Sequence, residues 1–325
     1  VANRTKLSDV ARLAGVSSAT VSRVLNDNPQ VDPALVSKVN EALARLSYRR
    51  NGLARGLRRQ RNNVIGAVIP DVSNPFFTEV VRGIEDELRT KGFLVVLCNT
   101  DEDPAKEREY LELLIDQQAA GIIIAPSAGT SASLETARQE GSAVVVIDRS
   151  IGADFDTVVL DNAEASYALC LRLLKDYATV AHISGPLRTS TGTERAEGYR
   201  RALSSVGRVY DPRLLQESDY SEQGGYDAMS RLLDLDEPPT AVFVGNNVMS
   251  LGALRRLSET SSPIAIASFD PLPWNATSTQ ELVVLDHPSY QVGSEAAKLL
   301  IDRLGGSDAP VKRVVLPGGT PVTQG

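Results

Sequence analysis

Leu7-Ser8-Asp9-Val10-Ala11-Arg12-Leu13-Ala14-Gly15-Val16-Ser17-Ser18-Ala19-Thr20-Val21-Ser22-Arg23-Val24-Leu25-Asn26 is the stretch from which the rest of the 325-residue chain can be read. Leu7, Val10, Ala11 and Ala14 recur at helical spacing on one face. Gly15 supplies the backbone freedom that a helix stop needs. Ser17 or Ser18 can cap a second helix, whose Val21, Val24 and Leu25 pack back on the first. Two short helices about a glycine turn form a helix-turn-helix, a unit whose second helix enters the DNA major groove. On spacing alone an ordinary helical hairpin would read the same way.

Downstream, Asp32 caps a third helix over Pro33–Leu46, with Pro33 at its first position and Leu35, Val36, Val39, Leu43 and Leu46 facing inward. Charge separates the two ends of the chain. Residues 1–62 hold 12 Lys/Arg and 4 Asp/Glu, a balance of +8, and the remainder holds 22 and 37, a balance of −15. A basic arm on an acidic body suits an end that binds phosphates.

Cys98 and Cys170 lie far apart without metal-ligand spacing, so buried thiols in a reducing compartment are expected. No apolar run approaches the roughly 18–20 residues of a membrane span. Arg4 and Lys6 precede no apolar stretch, so a cytoplasmic protein without membrane contact is expected.

From Val64 onward strands and helices alternate. Apolar strands recur at Val64–Ile69, Phe93–Leu97, Ile122–Ala125, Val144–Ile147, Val180–Ser184, Ala241–Val244 and Ile264–Ser268. Amphipathic runs lie between them at Phe76–Lys91, Lys106–Gln118, Ala163–Asp176 and Arg195–Val206. This is the pattern of an α/β fold with parallel sheets, in two similar lobes. Strands near Val283–Leu285 and Val311–Leu316 are assigned to the crossover between the lobes.

Signs of catalysis are few. His182 sits in the apolar run Val180–Ile183 and reads as a satisfied core residue; His287 is the other histidine. There is no G-x-S-x-G, P-loop or G-x-G-x-x-G after a strand, so neither an enzyme nor a bound cofactor or metal is expected. Polar residues instead gather at strand ends, where open α/β sheets bind ligands. Asp71 to Phe77 follow the first strand, Asp148-Arg149 the fourth, and Glu194-Arg195 are read as opening a helix. Asn246-Asn247, Phe269-Asp270 and Asp286-His287 end later strands. Aromatic faces at Phe76 and Phe77 with donors and acceptors at Asn74, Asp148, Arg149, Arg195, Asn247 and Asp270 suit a sugar.

Asp9-Val10-Ala11, Ala14-Gly15-Val16-Ser17 and Ala19 through Asn26 resemble the N-terminal signature of the lac repressor family, and the resemblance runs through nearly the whole chain. It implies a three-helix headpiece at 1–47, a linker and hinge helix at 48–62, and a periplasmic-binding-protein-like effector and dimerisation domain at 63–325. Three crossovers would join its two lobes around a ligand cleft. Asn51 to Arg61 resembles the hinge helix, where Ala54 and Leu57 would wedge into the minor groove while Arg55 and Arg58 meet phosphates. Gly52 and Gly56 keep such a short helix weak on its own.

The resemblance also implies a recognition helix in which Ser18 and Ala19 choose bases and Ser17, Thr20, Ser22 and Asn26 position it. Arg23 is the candidate for a bidentate guanine contact. In the effector domain it places pocket residues at Asn74, Phe76, Phe77, Asp148, Arg149, Arg195, Asn247, Phe269 and Asp270, as in ribose-type members. His287 stands where glutamine is common. No leucine heptad follows the tail, so a homodimer is expected. The function implied is a repressor of sugar metabolism that binds double-stranded, pseudo-palindromic operator DNA under control of a small sugar such as ribose or a related pentose or polyol. The alternatives are a global catabolite regulator answering to a phosphorylated carrier protein, and a sugar-binding transport protein.

Overall fold

The computed structural model describes residues 7–25, 30–46, 62–127, 131–260, 262–272 and 282–324, in two compact units, Val1–Gln60 and Arg61–Gly325. In the first, α1 (Leu7–Ala14), α2 (Ser18–Leu25) and α3 (Pro33–Arg45) enclose a small core of Val10, Ala11, Val21, Val24, Val39 and Ala42. Gly15 adopts φ +66°, the left-handed turn that lets α2 start almost at once. Of the two candidate caps, Ser17 closes α2: its Oγ accepts from the Thr20 amide at 3.1 Å. Asp32 accepts from the Ala34 amide at 2.7 Å, and Pro33 begins α3. Ala42 belongs to this core, while Leu35, expected inward, stays half-buried outside it.

The second unit runs β1 (Val64–Ile69), α4 (Pro75–Thr90), β2 (Leu94–Asn99), α5 (Pro104–Asp116), β3 (Gly121–Ile124), α6 (Ser131–Gln139), β4 (Ala143–Ile147) and β5 (Asp156–Leu160). It continues with α7 (Asn162–Asp176), β6 (Val180–Ser184), α8 (Ser190–Ser205), β7 (Leu215–Glu217), α9 (Glu222–Leu233), β8 (Ala241–Val244), α10 (Asn247–Thr260), β9 (Ala265–Ser268) and β10 (Leu282–Asp286). Last come α11 (Ser289–Leu304), β11 (Arg313–Leu316) and β12 (Thr320–Gln324). The strands form two six-stranded sheets, β11-β5-β4-β3-β1-β2 in lobe 1 and β12-β10-β9-β8-β6-β7 in lobe 2. β12 runs antiparallel to β10, and the other pairings are parallel. One core runs through both lobes, from Ile84 of α4 and Leu300 of α11 to Leu169 of α7 and Tyr199 of α8.

Two segments assigned from sequence to the crossover between the lobes belong to the sheets instead. Residues 283–285 and 313–316 are full strands of lobe 2 and lobe 1, and the chain crosses just beyond each. The third crossing follows Leu160. The crossings lie side by side: the Asp161 amide donates to the Leu316 carbonyl at 2.9 Å. Gly319, at φ +90°, presses on the Asp286 carbonyl, where a Cβ would collide.

β5, β7 and β12 are strands the sequence reading lacks. β5 opens on Asp156, which is buried because Arg303 meets it at 2.6 Å. β12 tolerates Pro321 because it is an edge strand. Glu194 and Arg195 lie in the second turn of α8 and do not open it; Thr189 is the cap.

Candidate functional site

Between the lobes, at the strand ends, lies a cavity of about 520 Å³. Asn74 caps α4 and is followed by Phe76 and Phe77, which meet edge to face at 4.9 Å. These three line the cavity together with Asp148, Arg149, Arg195 and Asp270, seven of the ten effector residues expected from sequence.

The other three do not line it but support residues that do. Asn247 is buried and donates to Asn74 Oδ1 at 3.0 Å, tying the lobes together, and to the Pro271 carbonyl at 3.2 Å. Phe269 lies beneath the Arg195 guanidinium, 3.6 Å from ring centre to Cζ. His287 places Nε2 at 2.7 Å from Asp270 Oδ1 and Nδ1 at 3.1 Å from Ser289 Oγ. It therefore orients the acceptor rather than facing the cavity, as its burial against Phe76 requires.

The two arginines are held differently. Arg149 grips Glu102 with both terminal nitrogens, one at 2.8 Å, and donates to the Pro126 carbonyl at 3.1 Å. Its Cζ lies 5.3 Å from the centre of the Tyr220 ring of lobe 2. Arg195 donates from Nε to Asn162 Oδ1 at 2.9 Å and from Nη1 to the Gly245 carbonyl at 2.5 Å. Burial pushes the Asp148 carboxyl above its ordinary range, against the pull of Arg149 and Arg195. Burial acts the same way on Asp270, but the His287 hydrogen bond and the nearby positive charges outweigh it and hold that carboxyl low.

Glu102, Arg188, Thr191, Asp219 and Tyr220 also line the cavity and were not anticipated. Glu102 follows β2 just ahead of the Asp103-Pro104 helix start, so the strand-end rule could have found it. Asp219 and Tyr220 follow β7, a three-residue strand too short to signal itself. His182 is a core residue stacked on Phe243, with Nδ1 3.0 Å from the Phe243 carbonyl. It is not fully satisfied, since its buried Nε2 has no hydrogen-bond partner. Cys98 and Cys170 are free, buried thiols.

On the first unit, α2 buries Val21 and Val24 and exposes Ser18, Ala19 and Arg23, with Thr20 and Ser22 half-buried. Ser17 is exposed and serves as the cap. Asn26 and the hinge candidates Ala54, Arg55, Leu57 and Arg58 lie outside the described residues. Among the described residues no helix is long and apolar enough to cross a membrane.

Residues 62–314 match the family of periplasmic binding proteins and the sugar-binding domain of the LacI family, and residues 6–51 match the lacI family of bacterial regulatory proteins. Catabolite control protein A of Priestia megaterium is 33% identical over 95% of this chain and 95% of its own. The ribose operon repressor of Escherichia coli K12 is 32% identical over 92% of each. The lac repressor dimer bound to operator and an anti-inducer shares the fold, with a TM-score of 0.84 at 22% identity, over 99% of this chain and 98% of that one. Both family models match in succession along the chain, two relatives exceed 30% identity over more than nine tenths of it, and the chain belongs to the lacI family of transcriptional regulators.

Proposed function

We propose that the chain is a homodimeric repressor of sugar-metabolism genes. It binds a pseudo-palindromic operator through α2 and the segment after α3, and its DNA affinity changes when a small hydroxyl-rich effector closes the cleft. The observation that carries this reading is a polar cavity with one wall from each lobe, the lobes being joined by three adjacent crossings. A ligand that bonds both walls favours the closed state over the open one, and that difference is what a regulator couples to DNA. The cleft is assigned no catalytic role and no cofactor.

On α2, exposed Arg23 suits a bidentate guanine contact, Ala19 a thymine methyl, and Ser18 several bases. Selection of duplexes from a random pool by the full chain should return two related half-sites. Arg23→Ala should cost about 1–3 kcal/mol and relax one base pair in each half. A uniform loss over all sequences would make Arg23 a phosphate contact. An effector should then move operator affinity by roughly 5–150-fold. At about 100 times its Kd it should add roughly 2.7 kcal/mol in a thermal-shift screen of pentoses, polyols and nucleosides.

For the dimer, the edge strand β2 offers Leu94, Val96 and Leu97, which are 63%, 44% and 42% exposed. A second copy would cover them. Sedimentation should give a dimer, and Val96→Lys a monomer with weakened operator binding. The identity to catabolite control protein A favours a second reading, a global regulator answering to a phosphorylated carrier protein. It requires DNA binding that depends on that partner and ignores free sugars.

A further inference from the structure

Resting on the effector reading, we propose that the cleft takes an uncharged, hydroxyl-rich ligand and rejects the phosphorylated form of the same molecule. Three independent features of the cavity argue for this.

The first is charge. Seven lining side chains are carboxylates and three are arginines, an excess of four negative charges; with buried Asp148 counted as neutral the excess is still three. Residues 128–130, 261 and 273–281, which the described residues leave out, contain no lysine or arginine that could reverse the sign. At the rim, Lys106 pairs with Asp101 and offsets one of these negative charges without reversing the sign.

The second is the state of the helix ends. Phosphates favour helix N-termini with free amides. Four helices begin at this cavity, and a side chain closes each: Asn74 on the Phe76 amide at 3.0 Å, Thr189 on Gly192 at 3.2 Å, Ser221 on Gly224 at 2.9 Å, and Asn246 on Met249 at 2.8 Å. Each cap takes one of the few free amides that an anion at that helix end would seek.

The third is the commitment of the buried arginines. Arg149 makes its two-nitrogen contact to Glu102, and Arg195 uses two donors on Asn162 and Gly245. Arg149 thus already holds a carboxylate in the paired grip that a phosphate takes, while Arg195 keeps its Nη2 donors for a ligand acceptor. Asp148 and Asp270, one from each wall, are acceptors. Hydroxyls can donate to them, whereas a phosphate dianion has no proton to give.

Calorimetric titration of the full chain with matched pairs tests this: ribose and ribose 5-phosphate, glucose and glucose 6-phosphate, adenosine and adenosine 5′-monophosphate. In any pair that binds, the unphosphorylated member should bind at least tenfold tighter, and Asp270→Asn should abolish that binding. Glu102→Gln, which releases Arg149, should narrow the ratio; an unchanged ratio would count against the role given to Glu102. Equal or tighter binding of a phosphorylated member, lost in Asp270→Asn, overturns the charge proposal and leaves the cleft reading intact. If no pair binds, or if Asp270→Asn leaves the binding unchanged, the cleft reading itself falls and takes this proposal with it.

Discussion

Arg149, on the lobe 1 wall, meets a carboxylate, while Arg195, on the lobe 2 wall, meets two neutral acceptors and an aromatic ring. The partner Glu102 is itself 30% exposed, so that pair can open toward water. Asn162 and the Gly245 carbonyl have no such escape, because both are buried. The difference separates two tasks that a single residue type can perform. Arg149 is a compensated strut whose charge is cancelled on the spot. Arg195 keeps its charge, held flat against Phe269, and so sets the position of whatever acceptor a ligand brings.

The comparison predicts its largest effect at Arg195. Arg195→Met strips the donor from two buried acceptors, at roughly 1–3 kcal/mol each. A urea midpoint on the ligand-free protein should fall accordingly, and a change below about 0.5 kcal/mol, the range of ordinary surface substitutions, would break the distinction. Arg149→Met should cost less, since Glu102 can turn to solvent. Adding Glu102→Leu to it should restore part of the loss, with a coupling of about 0.5–3 kcal/mol in the double-mutant cycle. Additive losses would mean that the pair does not act as a unit.

How much of this was legible in the sequence follows from how local each signal is. The same device, an Asx side chain before proline, starts α3 at Asp32-Pro33, α4 at Asn74-Pro75 and α5 at Asp103-Pro104. In each the cap accepts from the amide two residues on, so adjacent letters decide the outcome. Long apolar runs made β1, β4, β8 and β9 visible, and with them the residues that follow, Asn74, Asp148, Arg149 and Asp270. β5 was hidden because Asp156 looks like a surface residue; what buries it is Arg303, distant in sequence and unreadable locally. Tyr220 was lost with its short strand. His287 was placed at the right strand end, but its turn away from the cavity depends on Asp270, seventeen residues away, which only the packed structure brings to it.

The smallest predicted effect sharpens the same comparison at the two carboxylates. Asp148 has its folded-state proton affinity raised by burial, from an ordinary value of 3.8. Its contribution to stability is therefore fully present below pH 3.8 and is lost as pH rises through the folded value. Asp270 is shifted the other way, because the His287 hydrogen bond outweighs burial. Its contribution is present above pH 3.8 and is lost as pH falls through its lowered folded value. Each tenfold difference in proton affinity between folded and unfolded chain contributes about 1.4 kcal/mol. Asp148→Asn should thus gain stability over the wild type near neutral pH, the gain fading as pH falls through the raised folded value and gone below pH 3.8. Asparagine also tolerates the left-handed backbone at this position, φ +63°. Asp270→Asn should lose stability near neutral pH, the loss shrinking on acidification. Urea midpoints from pH 7 to pH 3 read both signs, and if the two variants shift in the same direction the walls are electrostatically alike and the contrast between Arg149 and Arg195 has no counterpart in their carboxylates.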